Sequence, residues 1–362
     1  MPHIATVTGS LNPALAGRVS AGDHLLARLP MAEPERASDA WFADQPLTMS
    51  RLGDAMLGRA NRDDAYLDQI TSHDELEDFA EAGGGLVIEH STPAQGAGLA
   101  DLARLSAGTG VAIVATAHAE EAASAQGLQE LLDGGYGLLA AAVTGDSFGG
   151  VARVIEAAAQ SGAPVLLRLA PAPLPGRPAS AAASTEPVHS TDADEVGTDK
   201  IGTDGARPEP AVPDQAALTL IDAALAAVSA AAAAGVGPSR LALAGLSGLV
   251  PVPGALARLA ESGAYLVFER LGRIPNVYTL VSDHDVAEAI SALIRAGHGG
   301  QILLSAGLDR KHACVDYGGN GLGFLSRQFL PYLGFFGVEA EQSEALLSAN
   351  PARFLTWTEP AA

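Results

Sequence analysis

Eight short apolar runs punctuate the chain, at residues 18–21, 85–89 (GLVIE), 111–115 (VAIVA), 137–143 (GLLAAAV), 164–169 (PVLLRL), 240–244 (RLALA), 264–268 (AYLVF) and 301–305 (QILLS). Most are continuously apolar rather than alternating, the pattern of a parallel strand covered on both faces. Most are followed by an Ala/Leu-rich stretch with helical spacing. Regular alternation of strand and helix predicts βα units. Eight such units predict a closed α/β barrel, a (β/α)8 TIM barrel, with functional loops at the C-terminal ends of the strands. The 362 residues suit one such domain of roughly 250 residues plus insertions. The chain therefore reads as a single barrel over residues 1–362.

One segment breaks the rhythm. Residues 171–213 are rich in Pro, Ala, Ser, Thr and Asp and carry no periodic apolar pattern. They read as a disordered, low-complexity insertion after the fifth strand, on the side of the functional loops.

Several stretches, taken in order, resemble the phosphotriesterase family of the amidohydrolase superfamily. VTGSLNPALAGRVSAGDHLL resembles that family's opening, where a turn leads into a HxH strand. DELEDFAEAGGGLVIEHSTPAQGAGLADLARLSAGTGVAIVATA resembles its second and third units. GVGPSRLALAGLSG and LARLAESGAYLVFERLGR resemble the sixth and seventh. QILLSAGLDRK, YGGNGLGFLSRQFLPYL and LLSANPARFL resemble the last strand and closing helices. The resemblance covers nearly all of the chain outside the insertion.

It implies a pair of divalent metals, usually zinc, held by HxH on strand one, a carboxylated Lys on strand four, His on strands five and six, and Asp on strand eight. Such metals generate hydroxide and polarise the scissile bond of phosphotriesters, lactones or other esters. This chain departs from that set. HxH reads Gly22-Asp23-His24, and the later positions fall on Ala140, Arg168, Gly245 and Gly307. Gly and Ala offer no donor atom, and a permanently charged guanidinium repels a dication. The expectation is a site with no metal. Lys200 lies in the insertion, and Asp309 lies two residues beyond the strand-eight position, roughly 6.6 Å by strand rise.

The predicted rim remains polar. Asp23, His24, Glu89, His90, His118, Arg168, Glu269 and Asp309 all fall at or just past strand ends. His24, Arg168, Glu89 and His118 are the candidate catalytic groups: imidazoles move protons near neutral pH, and a carboxylate orients them or acts as base. Arg168, Asp23, Glu269 and Asp309 are the candidate ligand-binding groups, because the guanidinium fork suits carboxylate or phosphate. Equally, Arg168 pairs with Glu89 or Glu269 and fills the space a metal would take.

Two readings stand side by side. One is a barrel that keeps the fold without the chemistry and binds a small anionic molecule. The other is a metal-independent hydrolase or lyase for an ester-like or acidic small molecule. A metal-dependent phosphotriesterase or lactonase needs Lys200 or Asp309 to enter the mouth.

Composition narrows the partners. Asp plus Glu number 42 against 21 Lys plus Arg, a net charge of −21. That disfavours nucleic acid and anionic membranes, and it favours solubility. A single cysteine, Cys314, excludes an intrachain disulfide and a Cys-based zinc site. No basic start precedes an apolar run, and the apolar stretch 221–235 is shorter than the ~18–20 residues of a membrane span. A cytoplasmic protein is the expectation. The resemblance alone adds a homodimer.

Overall fold

A computed structural model describes residues 2–31, 33–34, 37–144, 149–170, 215–277 and 279–357. The insertion, Lys200 included, lies outside the described residues.

The eight expected strands all form. They are β1 (Arg18–Asp23), β2 (Gly84–Glu89), β3 (Ala112–His118), β4 (Leu138–Val143), β5 (Val165–Leu169), β6 (Leu241–Ala244), β7 (Tyr265–Phe268) and β8 (Ile302–Leu304). Neighbours in sequence are neighbours in one parallel sheet running from β1 to β8. Seven principal helices follow the first seven strands: α1 (Gln69–Glu81), α2 (Leu99–Thr109), α3 (Ala125–Asp133), α4 (Gly149–Ser161), α5 (Gln215–Ala233), α6 (Ala255–Ala260) and α7 (Asp283–Arg295). Two closing helices, α8 (Ala340–Leu347) and α9 (Ala349–Leu355), follow β8. The chain is a (β/α)8 barrel.

The seam between β8 and β1 is closed differently from the others. One backbone bond crosses it, from His24 N to Leu308 O at 2.8 Å. Side chains supply the rest. Leu308 N donates to Asp23 Oδ1 at 2.9 Å, Ser305 Oγ donates to Gly22 O at 2.7 Å, and Ala306 N donates to Ser20 Oγ at 3.3 Å. Pairing of β1 with β2 shifts register between Ser20 and Asp23, and this irregularity turns β1 toward the seam.

Alternation along each strand makes two cores. Val19, Ala21, Leu86, Ile88, Val114, Leu138, Ala140, Leu166, Ala242, Ala244, Val267 and Leu303 fill the barrel interior. The intervening residues, such as Val87, Ile113, Leu139 and Leu167, pack under the helices. This explains the continuous apolar runs, since both faces of every strand are covered. The bottom is plugged by a hairpin, Ile4–Thr6 with Gly9–Leu11, and by Phe354 of α9, whose ring lies 5.3 Å from that of Tyr265.

The apolar stretch near residue 221 begins earlier than the sequence reading placed it. Helix α5 spans 19 residues, and by length and hydropathy it is the one described helix sufficient to cross a bilayer. It packs as the fifth barrel helix, burying Ile221, Ala223, Ala224, Ala227, Val228 and Ala231. Gly83 has φ +83 and ends the turn, and Gly84 and Gly85 open β2. A Cβ on Gly85 would stand 2.4 Å from Ala16 O, so only glycine lets β2 approach that turn.

Phe354 is fully buried where the interior meets the closing helices. Phe354→Ala is expected to destabilise the fold by about 3–5 kcal/mol, read as a lower urea midpoint with an unchanged m-value.

Candidate functional site at the barrel mouth

Every rim residue expected from the sequence lies at the C-terminal ends of the strands. Their roles separate once the contacts are seen.

Asp23 and Glu89 are fully buried. Glu89 holds the backbone: Oε1 accepts from Ser91 N at 2.7 Å and Oε2 from Leu25 N. Burial pushes its carboxyl up to about 8, against the hydrogen bonds to Ser91 and Leu25. Glu89 thus splints two strand exits instead of facing an open cavity, which the sequence could not show. Burial likewise raises Asp23 to about 6. Its Oδ1 accepts from Leu308 N, and its Oδ2 is buried with no hydrogen-bond partner among the described residues.

Three histidines gather above this layer. His24 Nδ1 meets Ser91 Oγ at 2.9 Å. His90 Nδ1 meets Thr116 Oγ1 at 3.0 Å, and His118 Nε2 meets His90 O at 2.8 Å. The rings of His90 and His118 lie 6.3 Å apart, edge to face. Burial lowers all three: His24 to about 4, His90 well below its ordinary value, and His118 in the same direction. The positive field of Arg168 adds to each shift. The imidazoles are therefore neutral at neutral pH, each with one donor and one acceptor nitrogen.

Arg168 pairs with Glu269, one of the two partners expected. The pairing is bidentate, with Nη1 to Oε2 at 3.0 Å and Nη2 to Oε1 at 2.6 Å. Oε2 of Glu269 also accepts from Gly245 N at 2.9 Å, which fixes the carboxylate across β5, β6 and β7. Arg168 stays 44% exposed while Glu269 is 8% exposed, so the guanidinium keeps an open face. Level with Arg168 on the neighbouring strand is Ala142, also exposed. Ala140, the position aligned with the strand-four Lys, lies one layer deeper beside Leu166.

Asp309 is held by Arg273 and lies 3.8 Å from Arg270. Burial acts to raise its carboxyl, but Arg273, Arg270 and Arg310 outweigh it and hold it far below the usual carboxylate range. Engaged in this way, Asp309 does not stand in for the strand-eight Asp. Arg270 has φ +64, a left-handed conformation rare for a side-chain-bearing residue outside tight or functional sites. Arg270, Arg273, Arg310, Ser91 and Thr116 were not singled out from the sequence. Arg273 and Arg310 carried no local signal there, and a positive φ leaves none.

Three of the positions aligned with metal ligands are glycines in close quarters. A Cβ on Gly245, at φ +77, would stand 2.4 Å from Leu169 O; one on Gly307, at φ +63, would stand 2.6 Å from Arg270 N. A Cβ on Gly22 would stand 2.9 Å from His90 Nε2. Backbone crowds the first two and an imidazole the third. Among the described residues, one trio of potential ligands comes close together: His73, Asp74 and Glu77, on the surface of α1 and away from the mouth. Cys314 is buried, and burial raises its thiol well above its usual value, the state of an inert packing residue.

The fold is that of a phosphotriesterase-like barrel, and comparison with known proteins gives its likenesses. The model of the phosphotriesterase family matches residues 219–355. A phosphotriesterase-related protein of Drosophila persimilis is 32% identical over 108 residues, 28% of this chain and 31% of the relative. The match thus spans about a third of the length of that relative. A resiniferatoxin-binding protein from Rhodobacter sphaeroides superposes with a TM-score of 0.74 at 22% identity, covering 98% of this chain and 94% of that one. The lactonase Lmo2620 from Listeria monocytogenes superposes with a TM-score of 0.65 at 19% identity, covering 99% and 100%. Residues 219–355 are thus similar to the phosphotriesterase family, and the whole chain shares its barrel fold.

Glu89 couples the mouth to pH. Its folded-state value, about 8, lies above the ordinary 4.5. Its contribution to stability is thus fully present below pH 4.5 and is lost as pH rises through about 8. The stability of Glu89→Gln relative to the unaltered protein is expected to improve steadily between pH 5 and pH 8, measured by urea unfolding. A constant difference across that range would place the carboxyl in its ordinary ionisation range.

Proposed function

We propose that this barrel works without a metal and that its mouth binds a small anionic molecule. The observation that carries the reading is the Arg168–Glu269 pair, anchored on Gly245 N where the family implies metal ligands. Gly245 and Gly307 support it, since a ligating side chain at either would strike backbone. Most donors at the mouth are already engaged, with His90 Nε2 and Asp23 Oδ2 left without a hydrogen-bond partner among the described residues. His24 Nδ1 is taken by Ser91, Asp309 by arginines, and Glu89 by backbone amides. Arg168 would oppose a dication in the same space.

Charge supports an anion as ligand. Arg168, Arg270, Arg273 and Arg310 gather at one end of the barrel, facing Glu269, Asp309, Asp23 and Glu120. In a chain of net charge −21 these arginines are the attachment points for a small acid. The guanidinium of Arg168 offers remaining N–H groups on its exposed face. A second reading, a metal-independent hydrolase or lyase, is favoured by the three neutral imidazoles, which are able to exchange protons with a bound ester or acid. The Listeria neighbour is a lactonase, in keeping with ester-like ligands. A cytoplasmic protein that binds no nucleic acid and forms a homodimer remains part of the proposal.

Two measurements test it. Protein produced with zinc and manganese supplied is expected to hold far less than one metal per chain by elemental analysis; two equivalents would overturn the reading. Inorganic phosphate is expected to bind, with Arg168→Met weakening it about tenfold, or ~1.4 kcal/mol, by calorimetry.

A further inference from the structure

Between β1 and α1 the chain makes an excursion with a core of its own. It leaves and returns through a narrow neck, where Ala27–Arg28 pairs antiparallel with Tyr66–Leu67. Beyond the neck lie two short helices, Ala37–Ala43 and Met49–Met56. With the turn between them they bury Phe42, Leu47, Leu52 and Ala55 in a small cluster, separate from the two cores of the barrel. The returning chain ties itself to those helices. Asn61 Nδ2 donates to Phe42 O and to Gln45 O, both at 2.9 Å, and Arg62 N donates to Ala43 O at 2.9 Å. Leu47 N donates to Asp63 Oδ2 at 2.8 Å. Residues 37–65 thus cohere as a lobe.

The lobe meets the barrel in a different way. Tyr317 packs against both its cluster and the main core, and around that ring the fastening is polar. Lys311, in the loop after β8, donates from Nζ to Asp63 Oδ1 at 2.8 Å and lies 3.0 Å from Asp68 Oδ2, at the start of α1. Its backbone N–H donates to Asp64 O at 2.9 Å. His312 meets the Asp64 carboxylate through its backbone N–H at 2.9 Å and through Nδ1. From the loop after β7, Asn276 Nδ2 donates to Met56 O at 2.8 Å. The side chain of Lys311 is only 6% exposed, with the rings of Tyr66 and Tyr317 at 5.7 Å and 5.6 Å from Nζ. Asp63 and Asp68 are 31% and 29% exposed, so water reaches both when the lysine withdraws. A unit with a small core, held by polar bonds that water is able to replace, opens at lower cost than the barrel it hangs from.

We propose that residues 37–65 are a hinged flap at the rim of the mouth, with the neck as hinge and Lys311 as clasp, and that the flap opens as one unit while the barrel stays closed. It springs from β1 and is fastened to the loops after β7 and β8, so its opening bares that side of the rim. The proposal is independent of the anion-binding reading.

The test is native-state hydrogen exchange on the full chain, followed residue by residue. The amides of Leu52, Arg62, Lys311 and His312 are expected to share one opening, at least about a hundredfold more frequent than that of Leu139 in β4 and of Leu308, three residues before the clasp. In Lys311→Met the shared opening is expected to become about tenfold more frequent, with Leu139 and Leu308 unchanged. If that variant fails to fold, exchange in the unaltered protein decides. Leu52 and Arg62 exchanging only as slowly as Leu139 overturns the proposal, because the lobe is then part of the barrel's own folding unit. Unrelated rates at Leu52 and Lys311 overturn it as well, because the segment then frays residue by residue. A Lys311→Met protein that folds but loses protection at Leu139 overturns the role of the lysine as a clasp.

Discussion

The mouth depends on how the barrel closes. Between β8 and β1 a ladder of backbone bonds is replaced by Asp23, Ser305 and Ser20, with a single backbone bond from His24 to Leu308. Asp23 serves both sides of β1 at once. Its carboxylate receives Leu308 N from β8, and its carbonyl receives His90 N from β2. The seam therefore sets the heights of His24 and His90 together. It also buries an acid, which raises its proton affinity and leaves one oxygen without a partner among the described residues.

From that seam the rest of the site follows as a chain of compensations. Glu89 is buried because two backbone amides at the exits of β1 and β2 need an acceptor. His24 and His118 are tied to Ser91 and to the His90 carbonyl, so hydrogen bonds hold the imidazoles in register. Across the barrel, Glu269 joins three strands through Arg168 and Gly245. The ion pair links the ends of β5 and β7, which share no direct ladder. Its half-exposed guanidinium limits what it adds to stability, since solvent screens it. Its larger effect is on the field at the mouth.

Two glycines constrain the mouth. Gly245 and Gly307 each sit at positive φ with backbone of a neighbouring strand exit against the place of a Cβ. A side chain at either position would have to move the chain. The loop conformations and the residue identities are therefore locked together, and the site is organised around arginine and neutral histidine.

Much of this barrel was legible in the order of its residues. Apolar runs covered on both faces can only be inner parallel strands, and eight of them separated by helical stretches leave one closed architecture. The same order placed Asp23, His24, Glu89, His90, His118, Arg168, Glu269 and Asp309 at strand ends, because a strand's length sets where its last side chain stands. Which of them keep a free polar group at the mouth was not legible. That Glu89 spends both oxygens on backbone amides, that Arg168 meets Glu269 rather than Glu89, and that Asp309 is claimed by arginines from β7 and β8 are consequences of barrel curvature and seam register. Those are decided by packing among residues a hundred or more positions apart, and no local pattern encodes the distance between two side chains on different strands.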